Sequence, residues 1–249
     1  MKETRIMMGM PITIEVVDVW ATQRIFDDSF SYFQTIDERF SFFKEQSEVS
    51  QLNRGEIVPD AYSVDLKNIL ELAEKTKQET DGYFDIVTPE GLCNPSGLVK
   101  GWAIRNVSQL IMDAGYKNFY VDAGSDVELH GKNGTGDLWT VGIRNPFSED
   151  RTSIVKVVTG TDIGVATSGT YIRGRHIYNP KDGKSVSGEI VSLTVIGNSI
   201  CDADRYATAA FAMGKYGIIF IEQLYGFEGY MIDRDGIATE TTGFKKYTL

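Results

Sequence analysis

Between residues 118 and 197 the chain breaks into short apolar or alternating runs, set apart by clusters of Gly, Asn and Asp. Six runs, 118–122, 126–130, 138–143, 153–159, 163–166 and 190–197, have the length and content of β-strands. Helical patterns do not alternate with them in the regular order that a βαβ sheet requires. The pattern therefore predicts an α+β fold with a largely antiparallel sheet and packed helices.

The flanking sequence supplies the helices. Residues 11–20 alternate around Ile12, Ile14 and Val16, which predicts another strand. Ile25, Phe26, Phe30, Phe33, Ile36 and Phe40 then recur at helical spacing, with Thr22 as N-cap. A second helix is expected over 63–80, ended by Asp81-Gly82. A third should follow Lys100-Gly101 and stop near Gly115. Asp202 reads as the N-cap of a helix over 203–213, and another helix is expected over 215–225. Two strands near 228–232 and 236–240 complete the pattern. Repeats, low-complexity tracts and Pro/Ser-rich linkers are absent from the sequence, so residues 1–249 read as a single domain.

Composition excludes several classes. A net charge of −10 argues against a nucleic-acid binder, which needs a basic surface for phosphates. Two cysteines, Cys93 and Cys201, supply neither a disulfide framework nor a zinc motif and read as reduced thiols. No run approaches the ~18 apolar residues of a membrane span, and the N-terminus lacks a signal-peptide pattern. The expectation is a cytoplasmic protein without stable membrane insertion, or an exported one whose leader is missing.

Several segments could carry chemistry. In Cys201–Thr208, Asp204 and Thr208 are spaced i, i+4, so on a helix their oxygens share a face. A carboxylate and a hydroxyl so placed suit Mg²⁺, which takes one or two protein carboxylates and fills its shell with water and phosphate. The plainer alternative is an acidic helix start with Thr208 bonded back to a carbonyl. Gly82-Tyr83-Phe84-Asp85 offers a ring and a carboxylate to a flat ligand, or is a simple turn. Asn94–Gly101 reads as a glycine-bearing loop before a helix, from which Lys100 can reach an anion. Asp122–Asp126 is explained by a hairpin turn and could also line a cleft. Thr167-Ser168-Gly169 puts two hydroxyls at a strand end, suited to phosphate or ribose. His176 lies between that cluster and the Asp204 helix and is a candidate general base, whereas His130 reads as exposed and uninvolved.

These segments together resemble the FAD:protein FMN transferase (ApbE) family. The similarity runs in order through Met8-Gly9, Ser41 to Asn53, Gly82 to Asp85, Gly97 to Gly101, Thr167 to Arg173, His176 to Gly183 and Ala203 to Thr208. The resemblance implies an α+β domain whose core is related to tunnelling-type folds. It implies a magnesium-dependent enzyme, with Mn²⁺ as the other candidate metal, that moves FMN from FAD to a threonine of an acceptor protein and releases AMP. By the same resemblance Asp204 and Thr208 are side-chain metal ligands, and Gly97 and Ala207 lie at the metal. Met8, Phe43, Tyr83, Phe84, Asp85, Lys100 and Val191 match flavin-site positions, and His176 matches the catalytic histidine. Five positions depart from the family pattern: Met10, Phe43, Asn94, Arg105 and Asn179. A pyrophosphatase splitting FAD into FMN and AMP, and a non-catalytic flavin binder, are the alternative functions.

Overall fold

The computed structural model describes residues 1–124, 126–150, 152–170, 178–186 and 188–248. The candidate base His176, with Arg173, lies outside the described residues. In chain order the elements are β1 (Lys2–Met7), β2 (Met10–Val16), α1 (Gln23–Phe40), α2 (Glu48–Asn53), α3 (Val64–Glu79), α4 (Ser96–Asp113), β3 (Phe119–Ala123), β4 (Asp126–His130), β5 (Trp139–Arg144) and β6 (Ile154–Gly160). They continue as β7 (Ile163–Gly169), β8 (Tyr178–Asn179), β9 (Lys184–Ser185), β10 (Ile190–Gly197), α5 (Ile200–Ala212), α6 (Gly217–Glu222), β11 (Glu228–Asp233) and β12 (Ala238–Glu240).

One eight-stranded sheet runs β1-β2-β3-β4-β7-β10-β11-β12, and its neighbours pair antiparallel. Two small ribbons, β5-β6 and β8-β9, stand apart from it. Strand alternation divides the sheet into two packed faces. One face meets the helices: Ile12, Ile14, Val121, Leu193 and Val195 pack with Phe26, Phe30 and Phe33 of α1 and with Leu98 and Phe211. The other covers a second core of Val127, Leu129, Trp139, Val158, Val165, Tyr230 and Phe244, beneath the β5-β6 ribbon.

The helix-facing side of β7 is small, and that decides where α5 lies. A Cβ added to Gly164 would come within 2.4 Å of the Ile200 backbone. Glycine there lets the start of α5 settle directly on the strand.

Four expectations need correction. The third helix starts at Ser96, so Lys100 and Gly101 lie within its first two turns and not in a loop before it. Ser199, whose hydroxyl accepts from the Asp202 N–H, caps α5, and Asp202 falls in the first turn. The helix expected over 215–225 is a 3₁₀ turn followed by a six-residue α-helix. His130 is not exposed: its ring lies 4.7 Å from that of Phe119, between Glu128 and Asp162. Both cysteines are free and buried. No helix among the described residues is long and apolar enough to cross a membrane.

Candidate functional site

Helices α4 and α5 meet through matched i, i+4 pairs. Gly97 of α4 faces Thr208 of α5, and a Cβ on Gly97 would stand 3.3 Å from the Thr208 methyl. Gly101 faces Asp204 more tightly, at 2.7 Å from its Cβ. The Gly101 N–H donates to Asp204 Oδ2 at 2.8 Å. In a regular helix that N–H serves the carbonyl four residues back, here Gly97, so Asp204 competes with the Gly97 oxygen for it. Two glycines thus form a notch into which the carboxylate and hydroxyl of α5 fit.

Charge is concentrated beside this notch. Lys100 Nζ lies 2.5 Å from Asp126 Oδ2 and 3.8 Å from Asp204 Oδ1. The other oxygen of Asp126 accepts from the Thr167 N–H at 3.0 Å. Both carboxylates are buried, with Asp126 1% and Asp204 4% exposed. Burial pushes the Asp204 carboxyl above its ordinary range; Lys100 opposes this, and Asp126 adds to it. Nearby Asp122 is likewise pushed up to about 6, first by burial and then by Asp126.

Two carboxylates share one ammonium, with two hydroxyls alongside: Ser168 Oγ is 3.5 Å from Thr208 Oγ1. This donor set is all oxygen and, with both acids ionised, carries a net negative charge, which fits a small hard cation. Among the described residues no three His, Cys, Asp or Glu side chains converge on one point. A cation held here would keep few protein ligands.

The other expected residues divide into groups. Ala207 is fully buried on α5, between Asp204 and Thr208 in sequence. Ser168 faces the helices, but Thr167, its neighbour on a strand, faces away, and its hydroxyl pairs with Thr194 at 2.8 Å. Phe84 is 3% exposed, and its ring edge lies 3.4 Å from where a Gly97 Cβ would stand. That ring is a wall behind the notch and does not present an open face. Asp85 is engaged by Lys77 at 2.6 Å and by the Val87 N–H at 2.8 Å. Tyr83 is half-buried with the Lys181 ammonium 4.3 Å above its ring.

Met8 is half-buried in the β1-β2 turn, where Met8 (φ 52°) and Gly9 (φ 72°) both take left-handed backbone, as a tight two-residue hairpin turn requires. Met10 packs with its sulfur against the Gly124 turn, bringing the two hairpin turns to one end of the sheet. Val191 sits at a register shift in β10, and its carbonyl accepts from the Thr170 N–H. Phe43 is 89% exposed, its ring edge-on to Phe42, and the described residues do not bring it into the notch.

Much of the Ser41–Asn53 segment is scaffold. Ser47 caps α2 and donates to the Ser41 carbonyl. Glu48 accepts from both the N–H and the hydroxyl of Ser63, the cap of α3. The Asn53 side-chain amide pairs with the Cys93 backbone in both directions, at 2.9 and 2.7 Å. That bond fixes the approach to α4, where the Asn94 side chain accepts from the N–H and hydroxyl of Ser96, the first residue of the helix. An aspartate at 94 would accept equally well, so this departure keeps the turn. Asn179 likewise accepts from the Lys181 N–H, which a carboxylate also does. Arg105 is exposed on α4.

Sequence reasoning missed Asp126 as a partner of Lys100, because a hairpin turn accounted for it. The available signal was an acid opening a strand in which Val127 and Leu129 alternate with Glu128.

An antiparallel sheet with helices on one face, and a buried set of carboxylate, hydroxyl and ammonium groups where they meet, define an α+β protein with an oxygen-rich charged site. A sequence model of the ApbE family matches residues 8–94 and 92–231, and the chain belongs to that family. It is 32% identical over 135 residues to a FAD:protein FMN transferase of Vibrio cholerae, covering 51% of this chain and 40% of that protein. With the FAD:protein FMN transferase of Escherichia coli (strain K12) it shares 26% over 172 residues, 66% of this chain and 49% of the other. The chain thus spans about half the length of the curated relatives it matches. The solved structure of the flavin transferase ApbE from Vibrio cholerae superimposes with a TM-score of 0.88 at 22% identity, over 99% of this chain and 98% of that one. That likeness establishes the fold.

Proposed function

We propose that the protein transfers FMN from FAD to a threonine hydroxyl of an acceptor protein, releases AMP, and works with Mg²⁺ or Mn²⁺ in a single domain of residues 1–249. The observation that carries this reading is the notch itself, where Asp204 and Thr208 meet Gly97 and Gly101 beside Lys100. Membership of the ApbE family and the names of the relatives support it.

Asp204 and Thr208, with the Gly97 carbonyl, would hold the cation, which when bound supplies charge neutralisation at the pyrophosphate. Lys100, 18% exposed at its side chain, would meet phosphate oxygens from the same side. The acceptor hydroxyl attacks the FMN-side phosphorus and forms a phosphoester. The bridging P–O bond breaks, and its oxygen leaves with AMP. His176 would take the hydroxyl proton, since imidazole is the side chain suited to general-base work near neutral pH. Exposed Phe43 and half-buried Tyr83 are the rings available to the flavin.

The test is incubation with FAD, Mg²⁺ and a threonine-bearing acceptor, read by mass spectrometry for covalent FMN and by chromatography for AMP. An Asp204→Ala protein should yield neither product. FMN and AMP without acceptor labelling would replace the transferase reading with hydrolysis, and intact FAD after long incubation would leave only binding.

A further inference from the structure

We propose that Asp126 is a positioning residue of this site: it holds the Lys100 ammonium off Asp204, leaving an Asp204 oxygen for the cation and Lys100 aimed at the ligand's phosphates. The inference rests on the reading of the notch as a cation and dinucleotide site.

Three observations carry it. Lys100 has two buried carboxylates within reach and lies far closer to one, 2.5 Å from Asp126 against 3.8 Å from Asp204. Asp126 is itself held in place, because its other oxygen takes the Thr167 N–H at 3.0 Å, from the adjacent strand. Asp204 differs in that its Oδ2 is tied to the Gly101 N–H, while Oδ1 has Lys100 at the longer distance and the Asp126 carboxyl lies within hydrogen-bond reach of the Asp204 carboxyl. An ammonium that closed directly on Asp204 would compete with a divalent ion for that oxygen. Asp126 prevents this by offering a nearer anion on a rigid strand end.

The consequence is specific. With Asp126 neutralised, Lys100 has Asp204 as its nearest remaining carboxylate and should collapse onto it. Cation binding then weakens through Lys100, and removing Lys100 as well should relieve the defect. Asn at 126 retains an acceptor for the Thr167 N–H, so the strand pairing is preserved.

The experiment uses the full chain and two ligands separately: Mn²⁺ alone, read by electron paramagnetic resonance, and FAD alone, read by flavin fluorescence. Asp126→Asn should bind Mn²⁺ about tenfold more weakly, the scale on which outer-shell partners act. Lys100→Met should bind Mn²⁺ at least as tightly as the parent and FAD more weakly. Asp126→Asn combined with Lys100→Met should bind Mn²⁺ within about threefold of Lys100→Met alone, since coupled residues are non-additive. A double variant weakened as much as Asp126→Asn is weakened relative to the parent would overturn the proposal, because Asp126 would then act without Lys100. Looser Mn²⁺ binding by Lys100→Met would also overturn it, and that variant carries the test if Asp126→Asn does not fold. A parent chain that binds neither Mn²⁺ nor FAD removes the reading of the site itself, a failure separate from these.

Discussion

Gly101 and Asp204 are 103 residues apart in sequence and joined by a single hydrogen bond, from the backbone N–H of one to the carboxylate of the other at 2.8 Å. The contact exists because residue 101 has no side chain. A methyl group there would meet the Asp204 Cβ at 2.7 Å and the Ile200 carbonyl at 2.9 Å.

Gly101→Ala should therefore force α4 and α5 apart. Overpacking of this kind costs about 1–3 kcal/mol. We expect a lower denaturation midpoint together with loss of Mn²⁺ binding. An alanine variant with parental values of both would mean that the close helix approach is dispensable.

Thr208→Val tests the hydroxyl with little change of shape. In the described structure that hydroxyl has a partner only at the limit of hydrogen bonding, Ser168 at 3.5 Å. Stability should stay within about 1 kcal/mol of the parent. Mn²⁺ affinity should fall by roughly tenfold or more. Titration by calorimetry separates the two effects, and unchanged affinity would remove Thr208 from the ligand set.

Arg205 ties α5 to α3. It is 2% exposed, bonds Glu79, reaches Asp202 at 2.6 Å and Thr76 at 3.1 Å, and lies over the Tyr206 ring. Arg205→Met removes the guanidinium from both carboxylates, leaving Glu79 with Lys75 at 3.6 Å and the Tyr206 hydroxyl at 3.0 Å. The two carboxylate side chains remain 32% and 34% exposed, so water recovers part of the loss. A cost on the order of 3 kcal/mol is expected, at the low end for breaking a buried pair. Urea denaturation checks it, and a change under about 0.5 kcal/mol, the usual range for surface substitutions, would show the clamp to be ornamental.

Asp122 predicts a pH dependence. Its folded-state carboxyl is pushed from the ordinary 3.8 to about 6, first by burial and then by Asp126. A raised acid stabilises the fold fully below its unfolded value, and that contribution is lost as pH rises through the folded one. Asp122→Asn removes the titration. Its stability relative to the parent should therefore rise between pH 4 and pH 7, by about 1–3 kcal/mol. Denaturant curves at the two pH values give the difference, and a gap independent of pH contradicts the assignment.

Local structure was largely legible in the residues themselves. The alternation of Ile12, Ile14 and Val16 marks β2, and the Phe26–Phe40 spacing marks α1, because side-chain periodicity is a local property of the backbone. Strand β1 is not legible in the sequence: Lys2–Met7 is an edge strand whose residues are all exposed or half-buried, so it carries no apolar face to read. In the sequence Gly97 and Gly101 look like loop residues, whereas in α4 their missing side chains serve helix packing.

By itself, the sequence determined most of the elements, the antiparallel class and the pairing of Asp204 with Thr208, since each follows from spacing along one chain segment. The tertiary structure alone decided which groups share the site. Thr167 and Ser168 are adjacent, and strand alternation sends one to each face; β7 pairing with β4 and β10 selects Ser168. Asp126, Lys100 and Asp204 come from three elements and meet only because glycines at 101 and 164 let α5 lie close to both α4 and β7. Such contacts depend on distances between remote segments, which packing sets and local periodicity does not encode.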